Sequence, residues 1–497
     1  MNSVSVQGST THDRIRSLCL LVGALLFLGL SGCAVNPVTG EQNFVMFGED
    51  TELEMGRTNH PKIIAEYGRY EDEALQAYVQ SVGERLAAVS HRDDLVYRFT
   101  VLDSPVINAF ALPGGYIYIT RGLMAYLNSE AELAAVLGHE IGHVTARHGV
   151  RQQSAAQAAN LGYTLGAILL PELRGAASQN VFNILGGALL SGYGREHELE
   201  SDRLGAEYLA KAGYTPDAMI DVISVLKNQQ TFAEAEAKKQ GREPQGYHGL
   251  FASHPDNDTR LQQVVAEADK YIDERSGMVN REAYLRHIDG MTYGDSEEQG
   301  IRSENEFYHL PMRFAVEFPE GWHINNNPSS VQAIAPGGKA FMEMGATDIN
   351  RRLTPQQFIQ QRLKVDDLRS GQAINSQGLE GYTGITIQEN KPLRLGVVYL
   401  RDQAFIFFGA TENSREFNNY DGQFLATINS LHGLREDEFD KARELKLQVV
   451  KVDAGDSYAQ WARNSRIANS PMQQLRLLND DYPTGELQAG QLAKRVR

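Results

Sequence analysis

Apolar residues recur at three- and four-residue steps at Leu75, Val79, Val82, Leu86 and Val89, a spacing that lines one face of a helix between Glu71 and Val89. Helical patterning already begins near Glu49, after the turn signals Asn36-Pro37 and Thr39-Gly40. Two strand-like runs follow, Val96 to Leu102 and Gly115 to Thr120, separated by Asn108-Ala109-Phe110-Ala111-Leu112-Pro113-Gly114-Gly115. The helical period returns from Ala134 to His148 and again from Tyr193 to Ala206, where Leu204, Tyr208 and Leu209 continue it. Residues 273–304 are polar and charged, punctuated by Gly277, Gly290 and Gly294, and read as a linker. Beyond them, strands at Met312 to Phe318, Ala340 to Thr347, Leu393 to Arg401 and Gln403 to Thr411 alternate with helices at Pro355 to Leu363 and Asn418 to Ser430. That pattern predicts an antiparallel sheet backed by helices over residues 305–435. The last fifty residues change character once more. They hold an apolar run at Leu447 to Val452, a Gly455-Asp456-Ser457 turn, two short helical segments around Trp461 and Leu475, and a Gly490-Gln491-Leu492 stretch.

The amino terminus is patterned for export rather than for folding. Arg14 and Arg16 precede an apolar run from Leu18 to Leu28 that is too short to span a bilayer, and Leu30-Ser31-Gly32-Cys33 comes next. Small residues directly before a cysteine resemble the lipobox of bacterial lipoproteins, in which the signal is cut before the cysteine and its thiol is acylated. By that resemblance residues 1–32 are a signal peptide, Cys33 is the lipidation site and 33–48 a tether. Acyl chains there would hold the chain to a membrane, since each buried methylene contributes about 0.8 kcal/mol. Ala34, rather than Asp, follows Cys33, which by resemblance to lipoprotein sorting favours the periplasmic face of the outer membrane. The chain has 2 cysteines, Cys19 and Cys33, and the first would leave with the signal. No intrachain disulfide is then available, so stability falls to packing and to any bound metal.

Composition removes some classes of function. The 497 residues are 42% hydrophobic and 22% charged, ordinary globular material with room for several domains. The formal net charge of -16, without a basic stripe, excludes a nucleic-acid-binding face, because phosphate neutralisation needs clustered Lys and Arg.

The candidate chemistry sits at His139-Glu140-Ile141-Gly142-His143. Positions i and i+4 of a helix lie one above the other, so the two imidazoles point the same way and supply half of a zinc site. Glu140, beside them, is placed to take a proton from a water in the metal's open position. A third ligand is needed, and the helical segment from Tyr193 to Ala206 offers one. Glu198 and Asp202 share a face of it, while Glu200 points roughly the opposite way, so Glu198 is the expected ligand. Asp202, one turn on, is placed to accept the outer N–H of a ligating histidine.

These three blocks, Asn108 to Gly115, His139 to His143 and Glu198-x-x-Ser201-Asp202, occur in an order that resembles one zinc peptidase family. It takes in the heat-shock protease HtpX, the CAAX prenyl proteases and the periplasmic BepA-type proteases, and the resemblance covers about Glu49 to Asp269. It implies a gluzincin with one Zn²⁺ per chain, held by His139, His143 and Glu198. The usual alanine of the third block is Ser201 here, a small-for-small change. The runs Asn160 to Pro171 and Val181 to Leu190 are too short to span a membrane, so the chain resembles the exported branch. Ser253-His254-Pro255 matches a serine-histidine-proline element of that branch, which makes His254 either a fourth ligand in a resting state or a donor to the oxyanion. Tyr193 and Arg195 are further candidates for that donation. Asn108, Ala109 and Phe110 are the expected substrate-binding residues, and the strand Gly115 to Thr120, ending shortly before the zinc-binding helix, is the expected edge onto which an extended peptide pairs through its main chain; an ordinary hairpin is the alternative.

The expected architecture is α+β and multidomain: a mainly helical zincin-type domain with a small sheet (49–272), the linker (273–304), an antiparallel α+β domain (305–435) and a small module over 445–497. The strand ending in Phe318-Pro319-Glu320-Gly321-Trp322 faintly resembles the PsbP-like fold, and residues 445–497 resemble a LysM module, which implies a βααβ unit with peptidoglycan as a partner. The expected reaction is amide hydrolysis without a covalent intermediate: zinc lowers the pKa of its water toward ~7, and Glu140 passes the water's proton to the leaving amine. By resemblance the substrates are misfolded or misassembled envelope proteins. A chaperone or scaffold with a latent zinc site under His254, and a peptidoglycan-tethered adaptor, are the competing readings.

Overall fold

The computed structural model describes residues 33–45, 47–155, 157, 193–239, 260, 277–327, 329–349, 353–388 and 390–497. The helix Glu73–Ala87 forms where the apolar spacing predicts it, opened by the Asp72 carboxylate, which accepts the Leu75 amide at 2.9 Å. Its stripe of Leu75, Val79, Val82 and Leu86 is buried in the main core. Gly83 on the same helix lets the Phe99 ring lie against the backbone, where a Cβ would come within 2.4 Å of it.

The predicted strands become Arg98–Leu102 and Tyr116–Thr120, paired in parallel. The segment between them supplies a third strand, Ala109–Leu112, antiparallel to Tyr116–Thr120; it takes one end of this three-stranded sheet and leaves Tyr116–Thr120 in the centre, not at the expected edge. Four residues of continuous apolar character, Ala-Phe-Ala-Leu, carry no alternation, which hid the strand from the pattern. Against the sheet lies the helix Glu130–Thr145, capped by Ser129, every residue of which is buried. An all-buried helix has no solvent face, so its backbone is the centre around which the domain is built. The helices Arg195–Lys211 and Ala218–Lys239 pack on it.

The expected tether is folded instead. Strand Cys33–Val35 pairs with Gln42–Phe44, Val45 is buried, and Val38 packs on the main core. The expected linker is a second departure. Residues 281–288 form the helix Arg281–Ile288, with Tyr284, Leu285 and Ile288 buried in the main core, and Thr292–Tyr293 is a strand. Arg281, Glu282 and Arg286 around that short apolar stripe made it read as polar chain.

Thr292–Tyr293 pairs with Leu445–Lys451, which in turn pairs with Leu492–Val496. Between those two strands lie the helices Tyr458–Arg463 and Pro471–Leu478. Leu447, Tyr458, Trp461, Leu475, Leu478 and Val496 belong to the same core as the histidine-bearing helix, so the C-terminal segment is not a separately packed module. Lys494 seals the contact: its buried amino group donates to the carbonyls of Ala125 and Leu127, each at 2.7 Å.

The intervening chain makes a second body with its own core. A seven-stranded antiparallel sheet runs in spatial order His323–Asn327, Ser330–Ile334, Ala340–Asp348, Gln403–Thr411, Lys391–Leu400, Leu379–Gln388 and Arg369–Ser376. The helix Phe417–Ser430 packs Phe424 and Ile428 against it, with Phe307, Phe314, Phe318 and Trp322. Gly396 and Gly409 make room for that helix, since a Cβ on either would meet Ile428 or Phe424 below 3 Å. Among the described residues no helix is long and apolar enough to cross a membrane.

Candidate metal centre

Two helices bring the donors together because small residues let their backbones touch. A Cβ on Gly142 would stand 3.0 Å from the Ser201 Cα, and one on Gly138 would stand 3.4 Å from Gly205. At that approach His139 and His143 of the first helix face Glu198 of the second. His139 Nε2 and His143 Nε2 are 3.0 Å apart, and the Glu198 carboxylate lies 3.5 Å from the one and 3.4 Å from the other. Ligands at zinc bond lengths of about 2.0–2.1 Å in a tetrahedron stand roughly 3.3 Å from each other, so these separations suit one ion, with Oε2 of Glu198 toward His139 and Oε1 toward His143. All three residues are buried, and among the described residues they are the one His/Cys/Asp/Glu group placed to hold a metal. Two imidazoles and a carboxylate, with a fourth position left to water or substrate, are the donor set of catalytic zinc.

Asp202 stands where the helical spacing put it. Its carboxylate is 2.8 Å from His139 Nδ1, the nitrogen turned away from the other donors. Arg260 then grips Asp202 from the far side, Nε and Nη2 each at 2.7 Å, and sets Nη1 3.3 Å from Glu198. Burial works against the Asp202 anion, yet the Arg260 charge and its hydrogen bonds hold the carboxyl below its usual range. Burial likewise opposes a charged His139, but Asp202 and Glu198 outweigh it and hold the pKa at about 9. A metal entering this site therefore displaces a proton from His139. Glu140 is 1% exposed, and burial, with the charges of Glu140 and Glu198 added, raises the pKa of the Tyr193 hydroxyl.

Around His143 the arrangement differs. Its Nδ1 faces His148 Nδ1 at 2.9 Å, and His148 Nε2 faces Glu200 at 3.0 Å. Burial lowers the His148 pKa in spite of Glu200, which favours the neutral ring. The Tyr193 ring stacks on His143 at 4.0 Å, and His197 stacks on His148 at 4.2 Å.

The structure thus gathers His139, Glu140, His143, Glu198 and Asp202 in one place. Asn108 leads into the strand Ala109–Leu112, and its carbonyl accepts the Thr120 amide at 3.0 Å. The Phe110 ring is packed on Tyr118 at 4.9 Å and near Tyr67, which leaves only its backbone for any peptide partner. His254 lies outside the described residues, as do both apolar runs between the second and third blocks, and for Cys33 the backbone alone is described. Sequence reasoning missed His148, Arg260 and the inward turn of Glu200. His148 comes five residues after His143, off the helical period, behind Arg147 at φ 59°, so no spacing marks it. Arg260 pairs across 58 residues, a distance that leaves no local signature.

A family model, Peptidase family M48, matches residues 73–268. The beta-barrel assembly-enhancing protease of Yersinia pestis is 31% identical over 219 residues, 43% of this chain and 43% of its own length. That of Escherichia coli K12 is 32% identical over 200 residues, 38% of each chain. The mitochondrial metalloendopeptidase OMA1 of Schizosaccharomyces pombe is 32% identical over 188 residues, 37% of this chain and 54% of its own. The chain therefore spans about two-fifths to a half of the length of these relatives. Among solved structures, cyanobacterial PsbP from Synechocystis covers 27% of this chain and 93% of its own at 12% identity and a TM-score of 0.21, too slight a likeness to assign a fold. The stretch similar to peptidase family M48, residues 73–268, is the one that holds the two histidines, both carboxylates and the arginine of the centre.

Proposed function

We propose that this chain is a zinc-dependent endopeptidase of the bacterial cell envelope, lipid-anchored through Cys33 at the periplasmic face of the outer membrane, acting on misfolded or misassembled envelope proteins. The observation that carries the reading is the buried triangle of His139, His143 and Glu198 with Glu140 on the same helix. Relatives named beta-barrel assembly-enhancing protease support the envelope setting. The metal, when bound, supplies a Lewis acid that activates water and polarises the scissile carbonyl. The chain's own groups do the rest. His139, His143 and Glu198 hold the ion, and Asp202 fixes the His139 ring. Glu140 takes the proton of the attacking water and returns it to the leaving amine. The strand Ala109–Leu112 offers main-chain hydrogen bonds to an extended substrate. The antiparallel α+β body and the C-terminal segment serve substrate or envelope contacts, peptidoglycan among them.

The test is metal content and casein cleavage for protein beginning after Cys33. Wild type is expected to carry about one zinc and to cleave, and Glu140→Gln to keep zinc while losing at least ~10²-fold in kcat, the scale of a general acid–base group. Zinc-loaded wild type that cleaves nothing would move a scaffold with a latent site ahead. Wild type that takes up no zinc would remove the reading.

A further inference from the structure

We propose that His148 and Glu200 are positioning residues for the metal ligand His143, fixing its ring and its tautomer through a two-step hydrogen-bonded chain. The inference rests on the zinc-site reading above. His143 turns Nε2 toward His139 and Glu198, which leaves Nδ1 at the back, 2.9 Å from His148 Nδ1. Two imidazole nitrogens at that distance are joined by a proton that only one of them carries. A ligating Nε2 needs its lone pair, so the proton of neutral His143 is on Nδ1 and His143 donates. His148 then accepts at Nδ1 and carries its own hydrogen at Nε2, which is 3.0 Å from Glu200 Oε2. Glu200 is a carboxylate, an acceptor only, and Arg151 Nη1 at 3.3 Å favours its charge.

The direction of every proton in the chain is therefore set from both ends. His148 is fully buried, which keeps Nδ1 from bulk water; among the described residues the other polar group near it is the Ser201 hydroxyl, at 3.3 Å. The two ligand histidines are served unequally. His139 meets its carboxylate, Asp202, directly, whereas His143 meets Glu200 with one imidazole between. Partners of this kind set ring orientation and raise ligand basicity, and their loss typically costs 10–100-fold in metal affinity. His148 also carries the stacked His197, so a packing role alone has to be separated from a hydrogen-bonding one.

Three variants separate them: His148→Leu, which removes the acceptor; His148→Asn, which keeps an acceptor near the place of Nδ1; and Glu200→Gln. Zinc affinity is measured by chelator competition, and the absorption spectrum of the cobalt-substituted protein reports ligand geometry without turnover. The expected result is a 10–100-fold loss for His148→Leu with a changed cobalt spectrum, and a loss several-fold smaller for both His148→Asn and Glu200→Gln. Affinity within twofold of wild type for His148→Leu overturns the proposal, as does His148→Asn falling as far as His148→Leu. If His148→Leu does not fold, Glu200→Gln at wild-type affinity with an unchanged spectrum overturns it equally. Wild type that binds no zinc defeats the site reading itself, a different outcome from wild type that binds while the variants are indifferent.

Discussion

Arg260 holds the balance of charge at the centre. Glu140, Glu198 and Asp202 are three carboxylates at 1%, 0% and 2% exposure, and Arg260 is the guanidinium set between the last two. A divalent cation with neutral imidazoles makes that set neutral. Without it, the proton held by His139 is a partial substitute. Removing one partner of a buried pair costs about 3–5 kcal/mol because a charge is left uncompensated. Arg260→Met should therefore destabilise the protein strongly, and more so after chelator treatment than with zinc bound, since the ion compensates part of the lost charge. Thermal unfolding with and without chelator measures this; equal losses in both states would mean that Arg260 acts by packing alone.

At the scale of elements, the site is a contact between two helices with a strand beside it. Helix propensity alone would not choose Gly138, Gly142 and Gly205, each of which costs up to about 1 kcal/mol relative to alanine inside a helix. Their use is the close approach that puts Glu198 against the two histidines. The strand Ala109–Leu112 has its own directional logic. The Thr120 amide bonds to the Asn108 carbonyl, and hydrogen-bonded pairs alternate along an antiparallel ladder, so Phe110 also faces Tyr118 while the amides of Ala109 and Ala111 point off the sheet. Proline is tolerated at such outward positions of an edge strand because no ladder bond is lost. Ala111→Pro should keep the fold and the metal while raising KM for a peptide substrate several-fold, with kcat less affected. An unchanged KM would show that substrate does not pair on this edge.

Across the whole molecule, the chain leaves the body that carries the metal centre and returns to it. Thr292–Tyr293 pairs with Leu445 and Lys446, and Glu297 and Glu444 are in direct contact through their amides and carboxylates. The sheet-rich body between them is thus an insertion into a unit completed by the C-terminal segment. Excising residues 298–443 through a short linker should leave a folded, zinc-binding protein. Deleting residues 445–497 should not, although that piece lies outside the family match at 73–268. It would bare Tyr284, Leu285 and Ile288 and leave two carbonyls without Lys494, each at about 1–3 kcal/mol. Soluble yield, melting temperature and zinc content of the two truncations decide the matter; a stable, zinc-loaded protein ending at residue 444 would refute the shared core. A deletion of the C-terminal segment therefore cannot by itself test peptidoglycan binding.

The centre was legible in the sequence where its geometry is local. Two histidines at i and i+4, and Glu198 and Asp202 one turn apart, are dictated by the 3.6-residue period, so the helices carry them wherever the fold goes. Periodicity also gave the helix Glu73–Ala87 and the strands Ala340–Asp348 and Gln403–Thr411, because one buried face repeats along the element. Only the tertiary structure decided what joins distant segments. Arg260 on Asp202, His148 between His143 and Glu200, Lys494 on the carbonyls of Ala125 and Leu127, and Tyr284 in the main core are single contacts, made once and without a period. A polar group buried at one point is chosen by what it meets there, and that partner becomes known only when the chain has closed on itself.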